Sequence, residues 1–69
     1  MKLSARNQLK GKVIEVTKGA VNGIVRIEIA DGITITSSIT NRSIEELGIE
    51  VGKEAYAVIK ASNVMVGVD

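Results

Sequence analysis

Ile29-Ala30-Asp31-Gly32-Ile33-Thr34-Ile35-Thr36-Ser37-Ser38-Ile39-Thr40-Asn41-Arg42-Ser43-Ile44-Glu45-Glu46-Leu47-Gly48 holds the end of one strand, a turn, a second strand and a helix, and its reading decides the fold. Asp31-Gly32 between alternating apolar runs is a two-residue hairpin signal, because both central positions of the favoured turn need positive φ. Ile33 to Thr40 then sets Ile33, Ile35, Ser37 and Ile39 against Thr34, Thr36, Ser38 and Thr40. One face is apolar and the other is a ladder of hydroxyls, polar without charge. Alternation stops at Asn41. Ser43 with Glu46 fits a capping box, Asn41 is a competing cap, and Gly48 before Ile49 suits a helix end with a left-handed residue. The helix is barely two turns long.

Working outward, Val21 to Ala30 puts Val25, Ile27 and Ile29 on one face of a strand and Arg26 and Glu28 on the other. Before it, a strand from about Asn7 to Thr17, with Ile14 and Val16 on one face, breaks at Lys18-Gly19. Gly11 and Gly23 inside these patterns read as bulges, close backbone approaches or plain loops. Downstream, Val51-Gly52-Lys53-Glu54 is a turn, and Ala55 to Ala61 and Val64 to Val68 are two further strands separated by Ser62-Asn63. Tyr56, Val58 and Lys60 share a face, so Lys60 ends its strand at the mouth of a turn. The expectation is one all-β domain spanning 1–69, an OB-like five-stranded Greek-key barrel with one short helix between strands 3 and 4. Other small barrels produce a similar string.

Composition agrees. Ten Ile, nine Val and four Thr make a third of the 69 residues β-branched, which suits pleated sheet better than helix. A chain of this size buries only about 60% of its unfolded surface and needs a staple. With no Cys and no His, disulfides are excluded and a zinc site nearly so, which leaves self-association. The same absences remove Ser-His and Cys-His nucleophile pairs and any imidazole base, so the expected protein is not an enzyme. The first ten residues carry no apolar leader and no run is long enough to span a bilayer, which points to a cytoplasmic protein without membrane contacts.

Net charge is +1, but residues 1 to 18 carry five Lys/Arg against one Glu, while residues 43 to 69 carry two Lys against five acids. Such a gradient fits ordinary solvated faces, head-to-tail complementarity between copies, or a basic edge that attracts an anion. OB-like barrels often bind nucleic acid, yet single-strand binders stack bases on aromatics and this chain has only Tyr56. A small oxyanion suits the inventory better. It needs cations, hydrogen-bond donors and no competing carboxylates. Candidate donors are Ser4, Arg6 and backbone N–H groups near them, Thr40 and Ser43 at the helix start, and Lys60 with the Ala61-Ser62 backbone. Each has a plainer reading: Thr40 and Ser43 as helix caps, Arg6 as an ion-pair member, Lys60 as a solvated strand-end charge.

The run Ser4-Ala5-Arg6-Asn7-Gln8-Leu9-Lys10-Gly11-Lys12-Val13 resembles the N-terminal signature of the molbindins, the small Mop proteins that bind molybdate. Ile35 to Thr40, Ser43 to Ile49 and Ala57 to Met65 are similar too, so the resemblance spans essentially the whole chain. It implies an OB-like barrel, a homo-oligomer in the form of a hexamer built as a trimer of dimers, and molybdate or tungstate held between subunits for intracellular storage. No cofactor is implied beyond that oxyanion ligand. Carried over by position, the implied oxyanion-binding residues are Ser4, Ala5 through its N–H, Arg6, Thr40, Ser43, Lys60 and Ala61 through its main chain. Ala61 stands where some relatives have Ser, and Ser62 is the candidate replacement for that hydroxyl. The open alternatives are an OB-like nucleic-acid module and an assembly module triggered by the oxyanion.

Overall fold

Alternating β-branched residues form strands where the sequence puts them as far as residue 60. The computed structural model describes residues 1–69. It contains β1 (Asn7–Lys18), β2 (Asn22–Ala30), β3 (Ile33–Thr40), α1 (Asn41–Glu46), β4 (Glu54–Ile59) and a 3-10 turn at Ala61–Asn63. The four strands form one antiparallel sheet in the order β3-β2-β1-β4. The sheet curls, so that Val13, Val25, Ile27 and Ala57 from three strands meet Ile44 of α1 in one small core.

Register explains which residues reach that core. On β2 the inward face is Gly23, Val25 and Ile27, as alternation requires. On β1 the pairing slips between Val13 and Glu15 opposite Ile27 and Arg26. The extra residue turns Ile14 outward and leaves Val13 and Val16 both facing in, so Ile14 and Val16 do not share a face. A bulge resets alternation for everything that follows it. Two glycines mark where backbones crowd: a Cβ at Gly11 would overlap the Glu28 carbonyl oxygen, and one at Gly23 would lie 2.6 Å from Ile44 Cδ1.

The hairpin at Asp31-Gly32 forms with only Gly32 at positive φ (74°), and the register shifts between Glu28 and Ala30 to accommodate it. At α1 the N-cap is Thr40, whose Oγ1 accepts from the Ser43 N–H, so the expected Ser43–Glu46 capping box does not form. Thr40 wins because it is the last extended residue, with Ser43 three positions into the helix. The helix ends as expected. Gly48 sits at φ 63°, its N–H bonding Glu45 and that of Ile49 bonding Ile44. This pairing closes the end with a Schellman motif.

The largest departure is at the far end. The strand expected at Val64 to Val68 is absent: the chain leaves β4 through the 3-10 turn and runs on unpaired, with Met65, Val66 and Val68 at 94%, 90% and 95% exposure. Four strands are present where the sequence suggested five. No helix is long and apolar enough to cross a membrane.

Candidate functional site

The β1–β4 ladder begins at the pair Asn7 and Ile59. Because the strands are antiparallel, the next residues outward, Arg6 and Lys60, stand across from one another just past its end. Asn7 Nδ2 donates to the Ile59 carbonyl at 3.2 Å, and Gln8 Nε2 donates to the Ala5 carbonyl at 3.2 Å. The first ties the start of β1 to the end of β4, and the second folds the Ala5 segment back on β1. The N–H groups of Ser4, Ala5 and Arg6 donate to no carbonyl of the chain. Lys60 caps the 3-10 turn, whose first internal bond is donated by Asn63 at 2.8 Å, so Ala61 and Ser62 lie at its open start.

Five of the nine Lys and Arg side chains are committed to carboxylates. Lys10, Lys18, Arg26, Arg42 and Lys53 each pair with a glutamate. Lys10 is committed: its hydrogen bond to Glu54 and the charge of that carboxylate raise its pKa above the ordinary lysine value. Arg6 and Lys60, like Lys2 and Lys12, have no carboxylate within ion-pair distance, and of these four only Arg6 and Lys60 flank the Asn7–Ile59 end of the β1–β4 ladder. Two free cations with unbonded N–H groups in the segment beside them offer donors and no carboxylate, which is what an oxyanion requires.

Thr40 and Ser43 form a second cluster elsewhere. Thr40 pairs with Asn22 on β2, and the Asn41 N–H bonds the Val21 carbonyl, which places the helix start beside the β1–β2 turn. Thr40 Oγ1 donates to Ser43 Oγ at 2.9 Å while accepting from the Ser43 N–H at 3.1 Å. The proton left to donate outward is that of Ser43 Oγ.

The register therefore puts Arg6 and Lys60 at one end of the β1–β4 ladder, with Ser4, Ala5, Ala61 and Ser62 in the flanking segments, and leaves Thr40 and Ser43 apart. The two groups lie at opposite ends of β1. That strand is 12 residues long, several times the span of one tetrahedral anion at roughly 3.3 Å per residue. One ion cannot touch both groups of one chain. None of the three clefts on the surface is lined by any of these eight residues. No group of three or more His, Cys, Asp or Glu gathers at one point either.

Two positioning residues escape a reading of the sequence. Asn7 ties the Arg6 segment to the end of β4, and Asn41 anchors the helix start by donating from Nδ2 to the Gly19 carbonyl at 2.8 Å. Asparagine at a strand start and at a helix start signals a local cap. The partners are 52 and 22 residues away and carry no local signal.

Comparison with known proteins shows the family and the fold. A family model described as the TOBE domain matches residues 3–66. A probable molybdenum-pterin-binding protein of Haemophilus influenzae is 56% identical over 69 residues, covering all of both chains. The solved structure of MopII from Clostridium pasteurianum, in an apo form, superposes with a TM-score of 0.90 at 51% identity, covering 97% of this chain and all of that one. The cytoplasmic molybdate-binding protein ModG, solved with molybdate bound, superposes with a TM-score of 0.94 at 48% identity. That match covers all of this chain and 49% of that one.

Proposed function

The chain belongs to the molbindin family of TOBE-domain Mop proteins, and from that premise we propose that it binds molybdate as an oxyanion between subunits. The observation that supports this most is that two cations free of carboxylates, Arg6 and Lys60, follow the Asn7–Ile59 pair at the same end of the β1–β4 ladder. Residues 1–69 act as a single Mop domain.

In this reading the metal arrives already coordinated by oxygen, so the protein supplies donors where a metal-cation site would supply ligands. Arg6 and Lys60 neutralise the dianion. The N–H groups of Ala5 and Ala61 and the hydroxyls of Ser4 and Ser62 cap individual oxygens. Thr40 and Ser43 of a second copy complete the shell, because their own chain holds them too far away. A site of fixed donors selects by size and by protonation. Sulfate is smaller and leaves donors out of reach, while phosphate near neutral pH carries a proton where the site offers only donors. Tungstate matches molybdate in size and charge and binds as well.

A composite site couples ligand binding to assembly, since the anion holds two subunits together. The proposed assembly is a hexamer, a trimer of dimers, in the cytoplasm. It stores molybdate and performs no catalysis.

Native mass spectrometry with molybdate, tungstate, sulfate and phosphate at micromolar concentration tests the reading. Retention of the first two in preference to the others is expected. Equal retention of sulfate, or no retention of molybdate, would refute it.

A further inference from the structure

Asn22 and Gly23 open β2, and packing dictates the second of them. A Cβ at Gly23 would lie 2.6 Å from Ile44 Cδ1 and 3.0 Å from the Thr17 carbonyl oxygen, so the helix keeps a glycine at this position. Asn22 stands before it as the first residue of the strand, exposed, with a carboxamide that makes no hydrogen bond within the chain. A free side-chain amide is thus followed by a peptide N–H that no Cβ shields. Those are the conditions under which an asparagine cyclises onto its own backbone.

Register carries this amide to the Thr40–Ser43 cluster. Asn22 is the direct antiparallel partner of Thr40, and residues directly opposite carry their side chains on one face with Cβ atoms about 4.5–5.5 Å apart. Thr40 Oγ1 in turn bonds both Ser43 Oγ and the Ser43 N–H. The cations nearest in sequence to this pair, Lys18, Arg26 and Arg42, are each engaged by a glutamate. A new negative charge here would stand uncompensated.

We propose that Asn22 is a modification site, whose spontaneous deamidation sets a carboxylate beside Thr40 and weakens the Thr40–Ser43 cluster as an oxyanion half-site. The Gly23 nitrogen attacks Asn22 Cγ, a C–N bond forms, and the side-chain amide departs as ammonia with the proton of the Gly23 N–H. Water then opens the cyclic imide. Cleavage of the new bond leaves aspartate; cleavage of the original peptide bond leaves isoaspartate, which lengthens the main chain opposite Thr40. Both products replace a neutral amide, itself an N–H donor, with a negative charge. A carboxylate about 8 Å from a dianion lowers its affinity about fivefold even at the dielectric constant of water. The effect on binding rests on the proposed oxyanion site, whereas the reaction at Asn22 does not.

The test holds the assembled protein in warm, mildly alkaline buffer and follows amide-to-acid conversion at each asparagine by peptide mass spectrometry. Asn63, exposed but followed by Val64, is the internal reference. Conversion at Asn22 is expected to run about tenfold or more faster, because glycine neither shields its N–H nor restricts the backbone. Asn22→Asp is expected to bind molybdate about fivefold more weakly than Asn22→Ser at a similar melting temperature, with the gap narrowing as salt screens the charge. Conversion at Asn22 no faster than at Asn63 overturns the proposal. So does an Asn22→Asp chain that binds molybdate as tightly as Asn22→Ser when the parent binds it. A parent that retains no molybdate would refute the site alone, since the conversion rate at Asn22 is read without any anion.

Discussion

Arg6 and Lys60 stay free of carboxylates because Glu54, the acid on β4, lies at the opposite end of that strand and is engaged by Lys10. Hydrogen bonds to a charged group contribute about 1.5–3 kcal/mol, and each 1.4 kcal/mol is about tenfold in affinity. Arg6→Ala is therefore expected to weaken molybdate binding by at least about tenfold. Its melting temperature is expected to stay close to that of the parent, since exposed substitutions shift stability by only about 0.5 kcal/mol. Equilibrium dialysis and thermal unfolding of the same sample separate the two effects. Unchanged affinity would remove Arg6 from the site. The identities of these residues were readable from the Ser4-Ala5-Arg6 run and from Lys60 at a strand end. Their grouping was not, because it depends on the Asn7–Ile59 register and on where β1 ends.

The short helix does two jobs that substitutions can split. Thr40→Ala removes the acceptor for the Ser43 N–H and is expected to cost about 1 kcal/mol of stability as well as affinity. Ser43→Ala leaves the cap in place and is expected to cost mainly affinity. Comparable melting-temperature losses in both variants would contradict this division. At Gly23, Ala would bring Cβ to 2.6 Å from Ile44 Cδ1 and 3.0 Å from Asn41 Oδ1. The expected cost is about 1–3 kcal/mol of overpacking, read as a drop in melting temperature. Elements closed by local chemistry were legible: the Asp31-Gly32 turn and the Gly48 helix end follow from residues within five positions of each other. The bulge at Ile14 was not, since an extra residue in one strand is defined only by its partner. The strand expected at Val64–Val68 does not form, because alternation alone does not supply a pairing partner and none lies beside that segment.

As a whole the molecule is undersized for its apolar content. Val13, Val25, Ile27, Ile44 and Ala57 alone are buried hydrophobics, while Val58, Leu47 and the tail lie exposed. A small core and a divided donor set have one common remedy, a second copy. A ligand that binds only the folded assembly raises its stability by RT ln(1 + [L]/Kd), about 2.7 kcal/mol at a hundredfold excess over Kd. Molybdate and tungstate are thus expected to raise the melting temperature in a concentration-dependent way, with sulfate far behind. Equal shifts from all three anions would contradict the selectivity.

The central claim is that one anion is held by Arg6 and Lys60 of one subunit and by Thr40 and Ser43 of another. Mixing Arg6→Ala chains with Ser43→Ala chains and counting bound molybdate by native mass spectrometry tests it most directly. Each variant alone is expected to bind weakly at every site, whereas random mixing restores about a quarter of the sites, those that draw one intact half from each kind of chain. Mixed assemblies that bind no better than either variant alone would show that the two clusters do not share an ion.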